Sequence, residues 1–147
     1  AAWDILDRET QQWLEDKVAV HSFAYSHSWH GGLETVGGNI RYLPPVQHPV
    51  VRVHPETGRK NLFVGRHASH IVGEDEYASR ALLKKLTSDG AQSPRLWKYT
   101  WQSGDIAIWD NRCVLHRGHR WPLTQARSMV RTTIAGDDPN NAWAMTA

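Results

Sequence analysis

The residues best suited to chemistry lie toward the C-terminal end of this chain. His116 closes the run Trp-Asp-Asn-Arg-Cys-Val-Leu-His, and Arg127 and Arg131 follow eleven and fifteen positions later. An imidazole is a common ligand for transition metals, while guanidinium groups are planar, permanently charged donors that grip carboxylates through paired hydrogen bonds. Side chains alternate across a β-strand, so Arg127, Met129 and Arg131 would point one way and Ser128, Val130 and Thr132 the other. At a rise of ~3.3 Å per residue the two arginines are rooted roughly 13 Å apart, enough for one shared cavity to hold two small anionic ligands.

Those side chains need a framework, and the pattern predicts one that is mainly β with flanking helices. Strands are expected at 49–53, 61–65, 97–102, 105–109, 113–117 and 128–135. Trp97, Tyr99 and Trp101 alternate with Lys98 and Thr100, as in a strand that buries one aromatic face. A first helix is predicted over 3–22, where Trp3, Leu6, Trp13, Leu14, Val18 and His21 leave an apolar stripe. A second, over 74–87, repeats Tyr77, Ala81, Leu82 and Leu86 at helical spacing. Asp75 and Glu76 in its first turn and Lys84 and Lys85 in its last suit the helix dipole. Glycines and prolines between 31 and 45 predict a loop, either a lid over a site or a plain connection. No repeat is present, and residues 137–147 have little periodicity.

A chain of 147 residues with 40% hydrophobic and 22% charged residues is an ordinary single globular domain. Eight tryptophans are many for this length, and core or interface packing is the expected role of most. The net charge of +2 is small and the basic residues are scattered among acids, which argues against nucleic acid as a partner. Arg117, His119 and Arg120 form the densest basic cluster, either the rim of a pocket or a solvated loop. No apolar run approaches the ~20 residues of a membrane span, so no membrane association is expected. The single cysteine, Cys113, allows no internal disulfide and fits a reducing, cytoplasmic setting; it is expected to be buried in packing.

Several separated segments together resemble the C-terminal half of the Fe(II)- and 2-oxoglutarate-dependent dioxygenases of the taurine dioxygenase and 2,4-dichlorophenoxyacetate dioxygenase family. The likeness is carried by His48-Pro-Val-Val-Arg-Val-His-Pro-Glu-Thr-Gly-Arg-Lys60, Ile71-Val-Gly73, Gly104-Asp-Ile-Ala-Ile-Trp-Asp-Asn-Arg112, His116, Arg127 and Thr132-Thr-Ile-Ala-Gly-Asp137. They run in family order from about 1 to 139, which would make 140–147 a tail. The resemblance implies a double-stranded β-helix, or jelly roll, incomplete in this chain.

It also implies roles. The family's iron is held by two histidines and a carboxylate, a facial triad that leaves positions open. His116 matches the distal histidine, Arg127 the arginine that pairs with the far carboxylate of 2-oxoglutarate, and Arg131 the arginine that meets the substrate's acid group. Trp109 belongs beside the metal strand. His67 and His70 resemble the phenoxyacetate-cleaving branch, where they could hydrogen-bond an ether oxygen or carboxylate, or equally be solvated loop residues.

The family's upstream H-x-D or H-x-E pair is missing. His54-Pro-Glu56 alone fits H-x-[DE], and Pro55 followed by Thr57 and Gly58 predicts a solvated turn rather than a relocated ligand pair. The chain therefore looks like the later portion of a longer protein, with the missing N-terminal part as its covering partner and homo-oligomeric assembly expected. The implied activity is oxidative cleavage of a small anionic substrate, an aryloxyalkanoate-like acid, with sulfonates or alkyl sulfates as the alternative. A second class of reading is a non-catalytic jelly-roll module that uses Arg127 and Arg131 for a carboxylate ligand and needs no iron. A structural zinc site built from the pairs His27/His30, His67/His70 or His116/His119 lacks the helical setting and further ligands that tetrahedral zinc requires.

Overall fold

The computed structural model describes residues 1–28, 43–122 and 124–134. The chain divides into two units, Ala1–His116 and Arg117–Ala147. Most of the 31–45 loop, the expected boundary at 139, the 140–147 tail, His30, Trp29 and Trp143 lie outside the described residues.

The first unit begins with a 3₁₀ turn at Trp3–Ile5 and then α1, Arg8–Leu14. Leu6 is extended, and Asp7 starts α1 by accepting hydrogen bonds from the Thr10 amide at 2.8 Å and the Thr10 hydroxyl at 2.7 Å. The helix predicted over 3–22 is thus corrected. It stops after Leu14, and Val18–His21 is a strand, β1. The reason is tertiary: β1 is the centre of a three-stranded antiparallel sheet of order β2-β1-β5, with β2 at Val46–Pro49 and β5 at Ala68–Ile71. Ala19 pairs with His48 on one side and Ile71 on the other, and β-branched Val18 and Val20 suit a strand more than a helix end. A register shift between Val20 and His21 bends the ladder to β5. Between β1 and the next strand, Phe23–Ser28 forms α2.

A second antiparallel pair, β3 at Val51–Val53 and β4 at Lys60–Leu62, matches expectation in place though shorter in extent. Its connection is the predicted turn: the His54 amide donates to the Arg59 carbonyl at 2.9 Å and the Gly58 amide to the His54 carbonyl at 2.8 Å. Gly58 sits at φ +66°, a conformation that a side chain would strain.

Helix α3, Glu76–Gly90, confirms the predicted second helix and extends it by three residues at its C-terminal end. Lys84 and Lys85 are therefore not in its last turn, and Tyr77, placed on the apolar stripe by spacing, is 82% exposed. Leu83 and Leu86 meet Trp3, Leu14, Ala19, Val50, Val64, Ala68 and Ile71 in the core. Buried hydroxyls are satisfied there: Ser79 accepts from the Ile71 amide at 3.1 Å, and Ser69 donates to the Val20 carbonyl at 3.0 Å. Asp75 caps α3 through the Ala78 amide at 2.7 Å. Asp75→Ala is expected to lower unfolding stability by about 1 kcal/mol and Asp75→Asn by little, measured by urea denaturation. Equal losses for both would remove the cap from the account of α3.

The strands expected at 97–102, 105–109, 113–117 and 128–135 do not form among the described residues, none of which beyond β5 pairs in a sheet. A strand exists by its ladder, and no described neighbour offers one. The apolar side chains that alternation assigns to a buried face consequently meet solvent: Trp97 is 75% exposed, Ile108 92% and Val130 98%. Of the described tryptophans, Trp3 alone is buried. Cys113, expected inside, is exposed.

Candidate functional site

The rings of His116 and Trp109 lie together, with centroids 4.8 Å apart and planes tilted by 52°. The Trp109 indole N–H donates to Asn111 Oδ1 at 2.8 Å, which fixes the ring that leans on the imidazole. His116 is exposed, and its ring nitrogens bond no described side chain. Between Trp109 and His116 the backbone turns: the amides of Cys113 and Val114 both donate to the Asp110 carbonyl, at 3.3 and 3.2 Å. The Asp110 side chain accepts from the Arg112 amide at 2.8 Å, an Asx-type turn that a short acidic residue is suited to make.

Asp110 does more than shape its own turn. Its Oδ2 lies 3.1 Å from His54 Nε2 and 2.6 Å from Arg112 Nη2. Arg112 also forks onto Glu56, with Nη1 to Oε1 at 3.1 Å and Nη2 to Oε2 at 2.9 Å. Glu56 Oε2 in turn lies 3.5 Å from His54 Nδ1. The Arg112 side-chain and backbone hydrogen bonds hold the Asp110 carboxyl far below the usual carboxylate range, while Asp110 and then Glu56 push the Arg112 guanidinium upward. The expectation that His54 is solvated is corrected: its side chain is 10% exposed because Asp110 and the turn around it close over the ring, whereas Glu56 stays exposed. Sequence reasoning quoted these four residues as motif letters and missed their contact. Complementary charge was visible, but partners 56 positions apart are joined only by the fold.

A second group gathers around β1, β2 and α2. The His21 ring stacks on Phe63 and meets His48 edge-on, each at 5.2 Å between centroids. Burial, followed by the charges of His48, His67 and Arg52, lowers the His21 pKa to about 4. His48 and His67 are lowered as well, burial again the largest cause. His67 Nδ1 lies 2.8 Å from Ser26 Oγ with its ring against Phe23 at 4.8 Å. His70 Nδ1 lies 2.9 Å from Ser69 Oγ, and the residue lines a cavity of about 250 Å³ with Val20, Tyr25, Glu76 and Arg80. Both histidines are thus held by protein groups in and beside β5, a strand that the sequence did not suggest, rather than in a free loop.

Arg127 and Arg131 belong to the second unit, and both are exposed. The Arg127 guanidinium lies over the Trp121 ring at 4.7 Å, a cation–π contact. The 128–135 strand that would have put the two on one face has no ladder among the described residues.

For a facial-triad iron the described residues offer one suitable donor at this place, the open imidazole of His116. That fits one ligand of three. The three ligand-type groups that do cluster, His54, Asp110 and Cys113, lie with their atoms within 4.8 Å of one another. Arg112 already supplies the cation there, with both Asp110 oxygens engaged by its guanidinium. A metal would have to displace it.

The chain is 41% identical over 143 residues to the (S)-phenoxypropionate/alpha-ketoglutarate-dioxygenase of Sphingobium herbicidovorans, covering 93% of this chain and 50% of that protein. It is 39% identical over 137 residues to the alpha-ketoglutarate-dependent 2,4-dichlorophenoxyacetate dioxygenase of Cupriavidus pinatubonensis, covering 93% and 48%. It superposes on the crystal structure of AAD-2 in complex with Mn(II) and N-oxalylglycine with a TM-score of 0.84 at 36% identity, covering 94% of this chain and 55% of that one. The fold class is therefore the expected double-stranded β-helix, of which these sheets are a part. The chain spans about half the length of the relatives it matches. With the model of one family matched from residue 1 to 133, through every segment from the His48 motif to Arg131, the chain belongs to the taurine catabolism dioxygenase TauD, TfdA family.

Proposed function

We propose that this chain is the distal part of an Fe(II)- and 2-oxoglutarate-dependent dioxygenase that oxidatively cleaves a small anionic substrate, an aryloxyalkanoate-like acid. The observation that carries this reading is His116, an imidazole steadied by Trp109 with its nitrogens unclaimed by described side chains, in a chain of this family. An H-x-D or H-x-E pair in the preceding part of the protein would complete the ligand set. An iron held there by His116 and that pair would supply the oxidising chemistry, with succinate and carbon dioxide as the by-products of 2-oxoglutarate.

The chain's own residues bind and orient. Arg127 takes the far carboxylate of 2-oxoglutarate, a task for a bidentate donor that never loses its charge. Arg131 grips the acid group of the substrate and so sets which carbon faces the metal, which is catalysis by positioning. His67 and His70, with Trp109, line the substrate side. The preceding part of the protein also supplies neighbours that residues 97–109 do not find among the described residues, covering Trp97, Ile106 and Ile108. Homo-oligomerisation would cover more of that surface. No helix among the described residues is long and apolar enough to cross a membrane, and a cytoplasmic setting would keep Cys113 reduced.

The test is succinate release by the full-length protein with phenoxyacetic and phenoxypropionic acids, compared with an alkyl sulfate. Arg131→Leu is expected to raise the substrate KM by about 10- to 100-fold, and Arg127→Leu to raise the 2-oxoglutarate KM by about as much, from the loss of charge-assisted hydrogen bonds. Turnover of the alkyl sulfate but neither aryloxy acid would move the substrate class. Absence of any 2-oxoglutarate-dependent succinate would sink the reading.

A further inference from the structure

We infer that His54, Glu56, Asp110 and Arg112 form a positioning clamp that ties the segment carrying Trp109 and His116 to the β3–β4 hairpin and so sets how His116 presents its imidazole. His54 and Glu56 stand in the turn that joins those strands, which His54 closes through its own amide and carbonyl. Arg112 reaches that turn through two parallel hydrogen bonds to Glu56, at 3.1 and 2.9 Å, and holds Asp110 with the same guanidinium. Isolated surface ion pairs hold little, but a closed ring with bidentate geometry restrains orientation as well as distance. A lysine at 112 could not bridge both carboxylates with a fixed fork.

The clamp acts on both sides of Asp110. On the N-terminal side, Trp109 is the adjacent residue and its ring lies against His116. On the C-terminal side, the Asp110 carbonyl anchors the amides of Cys113 and Val114, two residues short of His116. Segment 111–115 borders β4 along a narrow cavity of about 40 Å³ with Leu62, Phe63 and Val64, and Leu115 Cδ2 would lie 3.4 Å from a Cβ placed on Gly65. These four residues touch no substrate, and they act through His116. The consequence for a metal rests on the dioxygenase reading above, whereas the clamp itself does not.

Two readouts separate those claims, applied to the full-length protein and its Arg112→Lys and Glu56→Gln variants, with thermal melts to establish folding. In the metal-free protein, the NMR shifts of the His116 ring protons carry the ring current of Trp109, identified by its loss in Trp109→Leu. Both clamp variants should move those shifts toward the values of a solvated histidine. In the metal-loaded state, Mn(II) affinity should fall about 10-fold in Arg112→Lys, the usual scale for losing support behind a ligand. The double variant should be no worse than Arg112→Lys, because both substitutions break one ring. His116 shifts unchanged in both folded variants would overturn the clamp whatever the metal does. Altered shifts with unaltered Mn(II) affinity would overturn its role in positioning the ligand. Wild-type protein that binds no Mn(II) would sink the dioxygenase reading and leave the NMR shifts to decide the clamp.

Discussion

His116→Ala is expected to cost the full-length protein its metal affinity and its 2-oxoglutarate-dependent turnover together, by more than the ~10- to 100-fold typical of residues that only support a ligand. The argument is one of donor count. Of the ligand-type side chains described, His116 alone has the place in the family pattern, the exposure and the open ring nitrogens that a metal needs. A facial triad reduced to two donors loses both affinity and the geometry that keeps adjacent positions open. Mn(II) titration followed by electron paramagnetic resonance gives the affinity, and succinate release gives the turnover. His54→Ala is the informative companion: on the present reading it weakens the clamp and costs about 10-fold, far less than His116→Ala. Should His116→Ala bind Mn(II) and 2-oxoglutarate as the wild type does, the dioxygenase reading fails and the non-catalytic carboxylate-binding module takes its place.

Acid should weaken the fold well before its carboxylates titrate, and His21 should be the main cause. Its pKa is held near 4 in the folded protein against 6.5 for an unperturbed imidazole, because burial between Phe63 and His48 disfavours the charged form. As pH falls, the unfolded chain takes up its proton first. The stabilisation is thus complete above about pH 6.5 and is lost progressively between 6.5 and 4, on the order of 2–3 kcal/mol for this group. His48 and His67 are shifted the same way by their own burial and steepen the loss. Urea denaturation at several pH values between 7.5 and 4.5 measures it. His21→Asn should give a shallower dependence whatever its absolute stability, since it removes one proton uptake from the unfolded state. Parallel curves for the two proteins would show that His21 is not the group responsible.

The predictions that held at the level of local structure are those whose causes are local. Helix α3 was legible from apolar residues at helical spacing, Ala81, Leu82 and Leu86 among them, with acids at its start, although the structure makes Asp75 its cap and buries Leu83 and Leu86 while exposing Tyr77. The hairpin turn at 54–59 was legible for the same reason, since Pro55 fixes its own φ and Gly58 can take the positive φ of +66° that a side chain would strain. The helix predicted over 3–22 failed where the cause was remote. Val18–His21 has apolar residues compatible with a helical stripe, but two partner strands, at 46–49 and 68–71, claim its backbone. Strand β5, reading Ala-Ser-His-Ile, offers too little alternation to announce itself. Residues 97–109 err in the opposite direction, because alternation specifies which face a strand would bury and cannot supply the neighbour that makes it a strand.

The candidate site divides along the same line. By itself the sequence determined the family, and it supplied the candidate histidine, tryptophan and arginines, because residue type and order along the chain are enough to state what chemistry each could do. Tertiary structure alone decided that His54 is covered rather than solvated, that Glu56 and Arg112 close a ring through Asp110, and that His21 is kept neutral. Electrostatic and packing terms depend on distance and on exclusion of water, and residues 27 to 56 positions apart acquire both only when the backbone brings them together.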